Sequence, residues 1–402
     1  MIQTLESNVL LDCSFDLPCG ATIKNRLIKS AMSDGLADGE GNPTECQIRL
    51  YQRWAEGGVG LSIVGEVQVD PNYPESPGNI VLGDHSNYES LQALTSRASI
   101  NGAHIWAQLG HAGALAYQPI SQLKGPSTLK IGEFECLGMS EEEVSCLPDQ
   151  YASAAKIAKK AGFTGVQIHA GHGFLLSQFL SPLFNRRADK YGGSVEARSK
   201  IVVEIISKVR AMVGGAFPIS IKMNSSDQLE GGLTQEEALG VVQVLNHTTV
   251  DLIEISGGSY FPGAKASSDR ASSGAYYIDF AMRARSITNK PLALTGGFKE
   301  CTQALNVMSS KMVDFIGLAR VLILKPELPR DWLHGINTIP EFPRFESPPE
   351  GGMTAWYTMA LARLGNVDEY NNEPDLQTAI DDYVERSRKQ ANLWVAKFQD
   401  VK

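Results

Sequence analysis

Gly165-Val166-Gln167-Ile168-His169-Ala170-Gly171-His172-Gly173-Phe174 is the stretch on which the fold turns. A short apolar, β-branched run breaks off into small and polar residues. Strands buried on both faces read as such near-continuous apolar runs. Working outward, the same pattern recurs at Arg26–Met32, Val59–Val69 and His104–Leu109 upstream, and at Pro218–Met223, Leu252–Ser256, Leu292–Thr295 and Phe315–Ala319 downstream. With the first stretch, that makes eight runs. Between them lie helix-like segments such as Gln150–Ala161, Val195–Met212, Gln235–Asn246, Phe280–Thr288 and Lys299–Ser309. Before Gln235, Thr234 can cap the helix with Glu237 completing a capping box. Strand–helix alternation implies a parallel sheet. Eight units favour an α/β fold closed into a (β/α)₈ TIM barrel, with an open doubly wound sheet as the alternative.

The flanks extend this plan. Val9–Leu17 and Ala21–Lys24 surround Pro18-Cys19-Gly20, which predicts an N-terminal β-hairpin cap on the barrel bottom. Glu346–Gly352, rich in Pro and Gly, reads as a linker, and Asp375–Lys397 has helical spacing. The expected division is a barrel over residues 1–340 and a C-terminal helical tail over 341–402, packed on the barrel or on a partner subunit.

Bulk properties narrow the function. Across 402 residues, hydrophobic residues make up 43% and charged residues 20%, an ordinary globular balance. The net charge of −9 offers no basic surface for a nucleic acid. No apolar run approaches the roughly 20 residues that span a bilayer, so no membrane segment is expected. Met1–Leu10 lacks the basic-then-apolar order of a signal peptide, which makes a cytoplasmic location the expectation. None of the six cysteines forms a C-x-x-C, so neither a cysteine zinc site nor an iron–sulfur cluster is suggested.

Function in a barrel gathers at the C-terminal ends of the strands. Run seven ends in Gly296-Gly297 before a helix, and run eight leads through Gly317 to Arg320. Backbone N–H groups at a helix start favour an anion, and these two loops commonly bind phosphate. The plainer reading is that the glycines only permit tight turns and Arg320 pairs with a carboxylate. His169 and His172 could hold a metal, but a catalytic zinc needs a third protein ligand and none follows. No metal is therefore expected. Two neutral imidazoles can instead donate hydrogen bonds to a carbonyl oxygen gaining negative charge, or be two satisfied loop histidines.

The stretches Asn25–Met32, His169–Pro182 and Asn185–Gly193 resemble the signatures of the Old Yellow Enzyme family, in consistent order within a likeness from about Val9 to about Pro329. The resemblance implies an FMN-binding barrel that takes hydride from NADPH or NADH and passes it to an activated alkene conjugated with a carbonyl. It implies that Ala31, Met32 and Ser33 line the flavin and that Gln108 meets its pyrimidine edge. Lys222 stands near N1 and O2, and Gly297, Ala319 and Arg320 cradle the phosphate. Glu66 falls where relatives carry a small flavin-contacting residue, and Ser33 where they often carry Cys or Thr. His169 and His172 match the pair that holds the substrate carbonyl. Assembly as a dimer or tetramer is also implied, with Trp356 and Tyr357 as interface or rim residues unless they simply pack in the core.

One position departs from the family. Its usual His-Gly-Tyr reads His172-Gly173-Phe174 here, and the missing phenol is the family's proton donor. Water or another phenol (Tyr260, Tyr276 or Tyr277) could supply the proton. The net reaction could have moved to isomerisation or dehydrogenation. Or reduction could simply be slower, since general acid help is worth roughly 10²–10⁴ in rate. From another class, a non-catalytic flavin- or phosphate-binding barrel would bind ligand without oxidising NAD(P)H. An aldolase is weaker still, with Lys222 as the lone strand-end lysine.

Overall fold

Eight short strands are buried along their lengths because they form the wall of a closed barrel: β1 (Leu27–Lys29), β2 (Leu61–Gln68), β3 (His104–Gly110), β4 (Gly165–Ala170), β5 (Ile219–Asn224), β6 (Leu252–Ser256), β7 (Leu292–Thr295) and β8 (Phe315–Leu318). The computed structural model describes residues 9–261, 275–349, 351–366 and 375–399. Every neighbouring pair is parallel, and β1 pairs with both β8 and β2, which closes the ring. The eight apolar runs are thus the eight strands.

The helices form the outer layer, and their starts are written in the sequence. Thr44 caps α1 (Glu45–Glu56), and Asn87 caps α2 (Tyr88–Ala98). Ser140 and Glu143 form a capping box on α3 (Glu141–Lys160). The sequence places the start of α3 near Gln150. Pro148 lies inside the helix and reads as a breaker, so its first half is hidden from pattern reading. After the short α4 (Leu175–Leu180) come α5 (Val195–Val213), α6 (Gln235–Asn246), α7 (Ile278–Arg285) and α8 (Cys301–Ser309). On α6 the expected box is present: Thr234 Oγ1 accepts from Glu237 N at 3.2 Å, and Glu237 Oε2 accepts from Thr234 N at 3.0 Å. Thr234→Ala should lower unfolding stability by about 1 kcal/mol in denaturant titration.

The barrel bottom is covered, and a C-terminal helix flanks the opposite end. At the bottom, the hairpin of residues 15–16 and 22–23 is shorter than the sequence suggests, because residues 9–12 are helical. It buries Leu17 and Ile23 against Ile28, Leu61, Trp106, Leu252 and Phe315. Beyond the barrel follow α9 (Gly352–Gly365) and α10 (Leu376–Phe398). α10 lies along the loops after β1 and β2. Gln390 Nε2 donates to the carbonyls of Gly35 and Ala37 at 3.0 and 2.7 Å, and Trp394 Nε1 donates to that of Pro71 at 3.0 Å. The inserted stretch Ser259–Tyr277 and the N-terminal stretch Met1–Leu10 fall largely outside the described residues. Among the described residues, no helix is long and apolar enough to cross a membrane.

Candidate active site

Register decides which side chains meet. His169 on β4 stands opposite Lys222 on β5, and Lys222 opposite Glu254 on β6. Two residues before His169, Gln167 on β4 stands opposite Gln108 on β3. Lys222 and Glu254 are almost wholly buried, with Nζ 3.3 Å from Oε1. Glu254 also accepts from Thr295 Oγ1 at 2.7 Å and from Gln167 Nε2 at 2.6 Å. Burial alone would raise its carboxyl, but Lys222 and these donors outweigh that and hold it below the usual range. Gln167 Oε1 in turn accepts from Gln108 Nε2 at 2.7 Å. The polar layer under the mouth is therefore one connected network, as buried polar groups require.

The imidazoles sit on top of it. His169 Nε2 lies 3.2 Å from His172 Nδ1, and His172 Nε2 lies 2.9 Å from Ser256 Oγ. His172 occupies the left-handed region (φ 60°), and its N–H donates to Asn224 Oδ1 at 2.9 Å. Asn224 is held by Asp227 and by the Gly258 carbonyl, to which its Nδ2 donates. Burial, reinforced by Lys222, pushes His169 down to about 3, and burial with His169 pushes His172 well below its usual value. Both rings are neutral at physiological pH, and with the His169 N–H spent on His172 Nδ1, His172 Nε2–H is the donor kept for an oxygen.

β2 changes register between Val64 and Val67. Such irregularities re-aim side chains near active sites. Here Glu66 Oε1 comes within 2.8 Å of His169 Nδ1, though this contact lacks hydrogen-bond geometry. Burial raises the Glu66 carboxyl to about 8, with Lys222 pulling the other way. Ser33 donates to Glu75 Oε2 at 2.7 Å, and burial and the neighbouring Glu66 raise Glu75 to about 7. The mouth thus carries two carboxyls of high proton affinity beside two neutral imidazoles.

The Phe174 ring is buried 5.1 Å from that of His169. Tyr260 is largely exposed at the rim, its ring centre 6.0 Å from that of His172 and 5.8 Å from that of Phe174. Tyr276 and Tyr277 lie toward Gly296, where Tyr276 N donates to the Gly296 carbonyl at 3.2 Å. Of the three phenols, Tyr260 is the one the structure brings to the imidazoles.

Ala31, Met32 and Ser33 follow β1, Gly297 follows β7, and Ala319 and Arg320 follow β8, at the same end of the barrel as the imidazoles. Lys222 Nζ lies 3.5 Å from the Ala31 carbonyl. A Cβ on Gly65 would come 2.8 Å from Ala31 and 2.9 Å from Gln108 Oε1, so the floor there is closely packed backbone. Gly296 and Gly297 have φ of 120° and 86°, conformations open to glycine. Arg320 pairs with no carboxylate among the described residues and lies 5.5 Å over the Tyr357 ring. An arginine with no carboxylate partner among the described residues, one strand end away from two glycines of positive φ, fits an anionic group such as a phosphate. Trp356 is buried against Phe345 and Tyr357.

Four contributors escape the sequence reading as site residues: Gln167, Glu254, Ser256 and Glu75. An acid in the middle of an apolar strand, as in Leu252-Ile253-Glu254-Ile255-Ser256, was a usable signal. It calls for a buried partner, and the lysine on the preceding strand provides one.

Comparison with known proteins shows the family and the fold. The profile of the NADH:flavin oxidoreductase / NADH oxidase family matches residues 18–338. The chain is 33% identical over 350 residues to an NADH-dependent flavin oxidoreductase of Neonectria sp. (strain DH2), covering 78% of this chain but 46% of that one. It is also 33% identical over 349 residues to one of Hypocrea jecorina (strain QM6a), covering 78% and 86%. The chain thus spans about half of the first relative and most of the second. Among solved structures, the old yellow enzyme homologue from Zymomonas mobilis superposes with a TM-score of 0.71 at 23% identity, over 87% of this chain and 98% of that one.

Proposed function

The chain belongs to the NADH:flavin oxidoreductase / NADH oxidase family, the Old Yellow Enzyme family, and from that premise we propose that it reduces the activated C=C bond of an α,β-unsaturated carbonyl compound with NADH or NADPH. FMN and a reduced nicotinamide are its cofactors. When bound, FMN supplies the hydride relay between nicotinamide and substrate.

The protein's part is binding, orientation and electrostatics. In this reading Gln108 and Lys222 face the pyrimidine side of the flavin, Ala31, Met32 and Ser33 line it, and Gly297, Ala319 and Arg320 hold its phosphate. His172 donates a hydrogen bond from Nε2 to the substrate carbonyl, where charge develops, and His169 supports it by donating from Nε2 to His172 Nδ1. Such donors are worth most in a buried site, where water does not compete. The observation that carries the reading is the pair of buried neutral imidazoles meeting at 3.2 Å beside the Lys222–Glu254 pair.

Phe174 favours one rival. With no hydroxyl beside His169, the enzyme could rearrange or oxidise its substrate without net reduction. Mixing pre-reduced enzyme anaerobically with 2-cyclohexen-1-one separates the two. Flavin reoxidation with formation of the saturated ketone is expected. An enone consumed or isomerised with no change in the flavin spectrum would favour the rival.

A further inference from the structure

The reduction just proposed consumes a proton as well as a hydride, and Phe174 has none to give. Its neighbour His169 has Glu66 Oε1 at 2.8 Å from Nδ1 and His172 Nδ1 at 3.2 Å from Nε2. His172 Nε2 ends the row on Ser256 Oγ at 2.9 Å. The two imidazoles and the hydroxyl are thus hydrogen-bonded in a row, and the Glu66 carboxyl stands at its head at contact distance, a small rotation short of hydrogen-bond geometry. Each ring has one nitrogen toward the acid and one toward the substrate side.

Resting on the ene-reductase reading above, we propose that Glu66 is the proton reservoir of that reaction, acting through His169 and His172 and replacing the phenol absent at position 174. Hydride addition at the β-carbon leaves an enolate oxygen where the Ser256 hydroxyl now closes the row. His172 gives its Nε2 proton to that oxygen, and the O–H bond of the enol forms. His172 Nδ1 takes the proton on His169 Nε2, and His169 Nδ1 takes the proton of Glu66. At the end Glu66 is a carboxylate, both imidazoles are neutral again, and the substrate is an enol that becomes the ketone by taking an α-proton from water. The two electrons come from the nicotinamide by way of the bound flavin. Glu75, half-buried and electrostatically coupled to Glu66, is the group this relay assigns to returning the proton from solvent.

The surroundings suit this role. Glu66 is faced by His169 with His172 behind it, by Lys222 from β5, by Glu75 from the loop after β2, by Tyr151 from α3 and by Tyr260 from the loop after β6. Burial keeps the Glu66 proton on until about pH 8, and the imidazoles are neutral throughout. A neutral acid next to neutral relays can release a proton when the enolate forms, and a carboxylate cannot. The enone step should therefore slow as pH rises through about 8.

The test is Glu66→Gln, which keeps shape and removes the proton. Anaerobic stopped-flow mixing of NADH-reduced holoenzyme with 2-cyclohexen-1-one should show reoxidation slowed by about 10²-fold. The alkaline decline seen in the parent should vanish, with every rate taken per bound flavin. Independently of turnover, the infrared difference spectrum of flavin-free parent minus flavin-free E66Q should contain a protonated-carboxyl band at neutral pH that fades through about pH 8. An unaltered reoxidation rate, an alkaline decline that persists in E66Q, or no such band would overturn the relay and leave the ene-reductase reading standing. A parent whose reduced flavin ignores the enone overturns both.

Discussion

Lys222→Met should lower unfolding stability by about 3–5 kcal/mol, the usual cost of removing one member of a buried ion pair. Both side chains are about 1% exposed and 3.3 Å apart. Without the ammonium group, the Glu254 carboxylate stays in the barrel with the neutral donors Thr295, Gln167 and Ser30. Urea titration of the flavin-free protein measures the loss, and K222M/E254Q should recover roughly half of it, because the stranded charge is gone. The pH dependence has a definite sign. Glu254 is held below its usual range in the fold, so its contribution is complete above the unfolded carboxyl value and is lost as pH falls through the folded one. K222M should therefore flatten the acid side of the stability profile. A K222M protein as stable as its parent would show that the pair is dispensable to the barrel.

His172→Ala should slow the reoxidation of reduced flavin by 2-cyclohexen-1-one by about 10²–10³-fold, the cost of one oxyanion donor. His172 presents Nε2 at the end of the row, now 2.9 Å from Ser256 Oγ, so its loss removes a donor and breaks the row. Backbone strain adds little. Alanine at φ 60° costs about 1 kcal/mol, and Asn224 still accepts the backbone N–H. Stopped-flow absorbance separates this step from reduction by NADH. Equal slowing of both steps would point to a displaced flavin rather than a lost donor.

The barrel was legible because its strands are buried on both faces, which leaves apolar runs that need no periodicity to be seen. All eight runs coincide with strands, and the Thr234–Glu237 box stands where the spacing placed it. Legibility failed where tertiary contacts override local signals. Pro148 hid half of α3, and residues 9–12 coil instead of extending. At the site, strand-end positions were readable one by one, and their partners were not. That Gln108 leads through Gln167 to Glu254, or that Glu66 turns onto His169, depends on the register between strands far apart in sequence. The alternative pairing of Arg320 with a carboxylate finds no support among the described residues, and Tyr357 lies beneath it instead.

The most direct measurement is a titration of flavin-free protein with FMN, followed by flavin fluorescence and the visible spectrum. One FMN should bind per chain and give a yellow protein that NADH or NADPH bleaches without oxygen. Arg320→Ala should bind it roughly ten- to hundredfold more weakly, as loss of a charge-assisted contact requires. A protein that stays colourless at saturating FMN, or binds it equally well without Arg320, would contradict a flavin held across this barrel mouth by its phosphate.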